Sequence, residues 1–213
     1  MKVISINAGQ SRTVEWKGQE ITTSIYKEPV SGPVWVAEMG LKSDTQSDLS
    51  VHGGKYKAVY AYPSEHYDYW GAKLPDFPLP WGAFGENLTT TGLDEKVVCV
   101  GDRYRLGEVE LKVTQPRFPC KKLGVRFDNA LMVKMFLDSR RSGIYFQVLK
   151  EGVISTDDQL ELVEKAGGTT ISAFVDIYAE KSPDPRLIET LLKDPNLIED
   201  WKEFLESKMT QLS

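Results

Sequence analysis

Through the first 160 or so positions, apolar residues recur at every second place or in short unbroken runs, the spacing of β-strands. Residues 3–6, 12–16, 19–25 and 34–37 follow this pattern, with turn residues between them at Asn7-Ala8-Gly9, Lys17-Gly18 and Ser31-Gly32-Pro33. Residues 57–62, 96–100, 103–106, 108–114 and 144–150 continue it, and residues 159–163 read as a last strand or a short helix. Roughly nine short strands with closely spaced turns predict a barrel or sandwich rather than a parallel α/β sheet. Two helices interrupt the strands. Ser64 is positioned to cap one through Tyr69 and Trp70; Asp128 is positioned to cap another with Leu131, Met132, Met135 and Phe136 along one face. That Met and aromatic stripe reads as core. The stretch 73–81 carries Pro75, Pro78 and Pro80 and is expected to be an ordered loop leading into Gly82-Ala83-Phe84-Gly85.

After residue 154 the period lengthens. Ile171, Phe174, Val175 and Tyr178 share one helical face, and Asp184-Pro185 opens a second helix bearing Leu187, Ile188, Leu191 and Leu192. Asp194-Pro195 closes it, and Leu197, Trp201, Phe204 and Leu205 mark a third. These helices form either a small bundle of their own or a layer on the β portion. The organisation expected is a β domain over residues 1–165 and an all-α extension over 166–213.

Charge separates the same two parts. Residues 156–213 hold 13 acidic and 6 basic side chains, against 18 and 20 in the remainder. A mildly cationic body without a clustered basic stripe argues against nucleic-acid binding. Apolar content of 41% supports a real core. No apolar run reaches bilayer length, and the first residues alternate like a strand instead of forming a signal-peptide core, so a cytoplasmic, non-membrane protein is expected. Two cysteines make no disulfide framework, and with only His52 and His66 beside them a Cys₂His₂ zinc site is discounted for its spacing.

Candidate chemistry centres on Cys120, in Gln115-Pro116-Arg117-Phe118-Pro119-Cys120-Lys121-Lys122. Two prolines stiffen the backbone before it, and Arg117, Lys121 and Lys122 favour thiolate over thiol. A buried structural thiol is the competing reading; it suits Cys99, inside the apolar run Val97-Val98-Cys99-Val100, better. His52-Gly53-Gly54 with Lys57 offers either close backbone approach to a ligand or a simple hairpin turn. Glu86 and Asn87, directly after Gly85, have donor and acceptor edges for a heterocycle, or form a solvated turn. Arg117 and Lys122 suit an anionic group such as phosphate.

Taken in order, His52-Gly53-Gly54 with Lys57-Ala58-Val59 and Tyr62-Pro63, then Gly85-Glu86-Asn87-Leu88, Gly101-Asp102, and Gln115-Pro116-Arg117-x-Pro119-Cys120 resemble the MOSC domain, named for the C-terminal domain of molybdenum cofactor sulfurase. The resemblance spans residues 20–165, and the helical tail is similar to the three-helix extension of the bacterial YiiM-like subgroup. It implies a MOSC-type β-barrel binding the molybdenum–pterin cofactor, with Cys120 as the metal ligand and the catalytic residue. A soft thiolate suits such a metal. Arg117 and Lys122 would face the pterin phosphate or the metal's oxo groups; His52, Gly53, Gly54, Lys57, Glu86 and Asn87 would line the pterin or substrate side. Where many relatives read His-Gly-Gly-Pro-Asp-Lys, this chain has Lys55 and Tyr56 in place of Pro and Asp.

The implied activity is molybdenum-dependent reduction of N-hydroxylated compounds, including N-hydroxylated purine bases, in a detoxifying role. The alternative is a cofactor or sulfur carrier without turnover, and a metal-free thiol protein is the third option. Two separated cysteines cannot hold a Cys₄ cluster, so electrons are expected from a separate flavin or iron–sulfur protein. The oligomeric state stays open between monomer and homodimer.

Overall fold

Residues 1–46 and 53–212 are described by the structure, a computed structural model of the chain. β1 (Lys2–Ala8) is followed by a hairpin of β2 (Arg12–Trp16) and β3 (Gln19–Thr23). Its two turn residues, Lys17 and Gly18, have φ of 52° and 74°, the paired positive angles of a two-residue turn whose twist matches that of the strands. β4 (Glu28–Pro29), β5 (Val34–Ala37) and β6 (Gly40–Leu41) come next, then a short 3₁₀ turn over Lys55–Lys57 and β7 (Val59–Pro63). After α1 (Glu65–Lys73) and the proline-rich loop the chain enters β8 (Leu88–Thr91), β9 (Arg103–Leu106) and β10 (Val109–Pro116). α2 (Lys121–Arg126) and α3 (Met132–Ser139) precede β11 (Ile144–Lys150), β12 (Gly152–Ile154) and β13 (Leu160–Glu164). α4 (Ile171–Ala179), α5 (Pro185–Leu192) and α6 (Glu199–Leu212) finish the chain.

The fold is mainly β. Eight strands form one sheet in the order β13-β9-β10-β11-β7-β8-β1-β4, beside a three-stranded sheet β12-β5-β6 and the β2-β3 hairpin. Every pairing among the described strands is antiparallel except β7 with β8, whose parallel register requires the long crossover through α1. The β13 edge of the large sheet approaches β1, with Val3 N–H donating to the Asp158 carbonyl at 3.1 Å and Leu160 N–H to that of Met1 at 2.9 Å. The ladder among the described strands nevertheless runs open from β13 to β4.

Alternation explains the core. β10 buries Val109, Leu111 and Val113 while Glu110 and Lys112 stay half-exposed. Leu106, Phe146 and Ile144 join them, and so do Phe174, Ile188, Leu191 and Leu205 from the C-terminal helices. A second, aromatic cluster gathers Tyr60, Tyr62, Tyr67, Trp70, Phe84, Phe127 and Phe136 around α1 and α3; of the expected core stripe, Met132 and Phe136 are buried and Met135 packs against them, but Leu131, at the start of the helix, is exposed. Trp70 and Phe136 stack with centroids 6.0 Å apart.

Several local expectations shift. Residues 96–100 turn instead of forming a strand, because Asp102 accepts the Cys99 N–H at 2.9 Å and holds the chain in a tight loop; only a single bridge from Cys99 to Thr170 remains. Asp128 does not cap α3. It sits at φ 45° and accepts from the Trp16 indole at 3.0 Å, while Asn129 accepts the Leu131 N–H at the start of that helix. Ser64 precedes α1 without a side-chain cap bond. Residues 159–163 resolve in favour of a strand, and Asp184 caps α5 by accepting the Arg186 N–H at 2.9 Å.

Candidate functional site

Cys120 is the residue before the first turn of α2, extended in backbone and partly exposed. It opens onto a cavity of about 90 Å³ between the end of β3, the segment after β6, and the β10–α2 connection. The double-proline run suits this geometry: Pro116 ends the ladder, Pro119 disfavours a helical residue before it, and the chain turns into α2 only after the extended Cys120.

Arg117 lines the same cavity with 6% exposure. Its guanidinium carbon lies 4.9 Å from the Phe136 ring centre and 5.6 Å from that of Tyr60, a cation held against aromatic faces. Burial works against that charge, but Tyr60, Tyr145 and Cys120 outweigh it and raise the Arg117 pKa. One of its terminal nitrogens, Nη1, has no partner among the described residues, and neither has the buried hydroxyl of Ser24, which lines the same cavity. A buried guanidinium nitrogen left this way costs free energy unless something else occupies the space.

Lys27 and Asp44 also reach the cavity, and sequence reasoning missed both. Their side chains, 8% and 7% exposed, form a two-pronged ion pair. Asp44 further accepts from the Gly9 N–H and from the Asn87 amide, each at 2.8 Å. Burial pushes the Lys27 ammonium pKa down, against the pull of Asp44 and Glu86. Each charge reads in the sequence as an ordinary residue after a strand or turn; only the fold joins them.

Among the sequence candidates, Cys120, Arg117, Lys122, Lys57 and Asn87 meet at this cavity. Burial lowers the Lys57 pKa, opposed by Asp200 on α6. Asn87 accepts the Tyr60 N–H at 3.1 Å, so its amide is fixed by backbone on one side and by Asp44 on the other. Gly85 supplies the bend before it: φ is +80°, and a Cβ there would meet Ile25 at 2.9 Å. Glu86 is not at the cavity wall. Fully buried, it accepts from the Tyr67 hydroxyl, Gly82 N–H, Phe84 N–H and Thr89 hydroxyl. Neither Glu86 nor Asn87 belongs to a solvated turn. Gly53 and Gly54 lie beside the cavity rather than in its wall; Gly54 has φ +88° with open space around it, a turn more than a close approach. His52 falls outside the described residues.

The described lining holds four cations, Lys27, Lys57, Arg117 and Lys122, against one carboxylate, Asp44. It suits an anionic ligand with a soft metal near Cys120. Among the described residues no group of three or more His, Cys, Asp or Glu is placed to hold a metal ion unaided.

The C-terminal helices brace the wall from behind. The Trp201 indole donates to Gln115 Oε1 at 2.7 Å, and Phe118 stacks on Tyr178 with ring centres 3.7 Å apart.

Comparison with known proteins agrees with this picture. The model of the MOSC domain matches residues 48–161. The chain is 38% identical to YflK of Bacillus subtilis (strain 168), an uncharacterized protein, over 99% of this chain and 95% of that one. A protein of Gibberella moniliformis named a reductase is 41% identical over 70% of this chain, but that match spans only 27% of its own length. The crystal structure of YiiM from Geobacillus stearothermophilus superposes with a TM-score of 0.81 at 35% identity, covering 98% of both chains.

Proposed function

The chain belongs to the MOSC-domain family, in its YiiM-like subgroup, and from that premise we propose that it reduces N-hydroxylated compounds with a bound molybdenum–pterin cofactor. The observation that carries this reading is the pairing of a partly exposed Cys120 with the buried, incompletely partnered Arg117 in one cation-rich cavity. These residues fit the group. Cys120 would ligate the metal, and Arg117, Lys57 and Lys122 would hold its anionic parts. When bound, the cofactor supplies two-electron reduction at the N–O bond.

The chain's own residues orient and enclose. Tyr60 and Tyr145 form an aromatic wall, 5.1 Å between ring centres, against which a flat heterocycle such as a purine base would pack. Burial raises both phenol pKa values, against the pull of Arg117, so both stay neutral hydrogen-bonding groups. Asn87, fixed by Tyr60 and Asp44, contributes a rigid polar edge. Electrons would come from a separate flavin or iron–sulfur protein. No helix among the described residues is long and apolar enough to cross a membrane; a cytoplasmic detoxifying role is part of the proposal.

Molybdenum analysis and reductase assay with a chemical electron donor, on protein made in cells that synthesise the cofactor, test this reading. Wild type should carry molybdenum and convert an N-hydroxylated base to its amine, while Cys120→Ala should lose at least 100-fold in turnover. Stoichiometric cofactor without any turnover would establish a carrier instead, and no molybdenum in wild type would end both readings.

A further inference from the structure

The Lys27–Asp44 pair is more than the fold needs at that place. Replacing a buried ion pair by apolar residues is often neutral or stabilising, so its presence in a cavity wall calls for another explanation. Asp44 is fixed by four donors, including two from Lys27 Nζ. An ammonium has three N–H groups, which leaves Lys27 one more for an occupant of the cavity that it lines.

We infer that Lys27, steadied by Asp44, is the residue that delivers a proton to the hydroxyl oxygen as it leaves nitrogen; the inference rests on the reductase reading above. The overall change is R–NH–OH plus two electrons and two protons giving R–NH₂ and water. The N–O bond breaks, the electrons come from the flavin or iron–sulfur donor protein, one proton passes from Lys27 Nζ to the oxygen, and solvent supplies the other and reprotonates the neutral amine. Hydroxide is a poor leaving group, so a positioned acid contributes on the order of 10²- to 10⁴-fold. Burial lowers the Lys27 pKa and makes it a stronger acid than a surface lysine. The charged groups that act on Nζ are Asp44 and Glu86; Lys57, Arg117, Lys122 and Cys120 line the same cavity.

Three measurements decide it. Turnover of an N-hydroxylated base by wild type comes first; with none, the reductase reading falls and this role falls with it. Given turnover, Lys27→Met should keep its molybdenum and lose at least 100-fold in kcat, and Asp44→Asn should move the alkaline fall in rate to lower pH by removing the charge that favours the ammonium. A Lys27→Met enzyme of near wild-type kcat would overturn the inference alone. The third needs no turnover and no folded Lys27→Met. In protein labelled with ¹³C-lysine, the signal missing from Lys27→Arg should titrate below the surface lysines and shift when the N-methoxy analogue of the substrate is added. A signal that titrates with the surface lysines, or ignores the analogue, would reject the role.

Discussion

Glu86 shows how far one side chain can depart from its sequence context. It reads as a turn residue but is a fully buried acceptor for two backbone and two hydroxyl donors, pinning the Gly82–Phe84 segment that carries the cavity wall. Removing it in Glu86→Ala strands those donors and should cost about 3 kcal/mol, measurable by urea unfolding. Burial outweighs the donors and raises its pKa. A carboxyl raised in the folded state stabilises least once it must ionise there, so stability should fall as pH rises from the usual carboxylate range through the raised value. Glu86→Gln should flatten that part of the stability–pH curve. Cys120, Arg117 and Lys122 were legible because their chemistry is crowded into six positions of sequence. Lys27 and Asp44 were not: 17 residues apart, they become a pair only when β3 and the segment after β6 fold against one another.

Among the elements, those with strong alternation or clear caps were readable. The strands at Arg12–Trp16, Val34–Ala37, Arg103–Leu106 and Ile144–Lys150 match their sequence ranges residue for residue. α5 follows from Asp184-Pro185, and Asp184→Ala should destabilise by about 1 kcal/mol, seen as a lower thermal midpoint. α2 escaped notice because six residues after a proline give no periodicity to read, and β4 and β6, two residues each, are defined by their partners alone. The bracing of the Cys120 wall by α6 was equally hidden, since it depends on one indole meeting one amide. Trp201→Phe keeps the ring among Phe118, Phe174 and Phe204 but loses the bond to Gln115. A loss of about 1 kcal/mol in unfolding free energy is expected.

For the molecule as a whole, mainly-β character and a helical C-terminus could be anticipated from the change in period near residue 155. Strand order could not, because neighbours such as β1 and β8 lie more than 80 positions apart and periodicity carries no pairing information. Phe174, Ile188, Leu191 and Leu205 share one apolar cluster with the sheet, so a chain cut after residue 165 should expose that surface and bind a hydrophobic dye strongly where the full chain does not. The parallel contact between β7 and β8 has a kinetic side as well. Its partners are separated by 27 positions, Ala61 opposite Leu88, so α1 and the proline-rich loop must be gathered in before a single rung can form. Such non-local closure is slow. Refolding is therefore expected on a scale of about milliseconds to seconds, and a nascent chain that has not yet completed this strap carries a bare aromatic face.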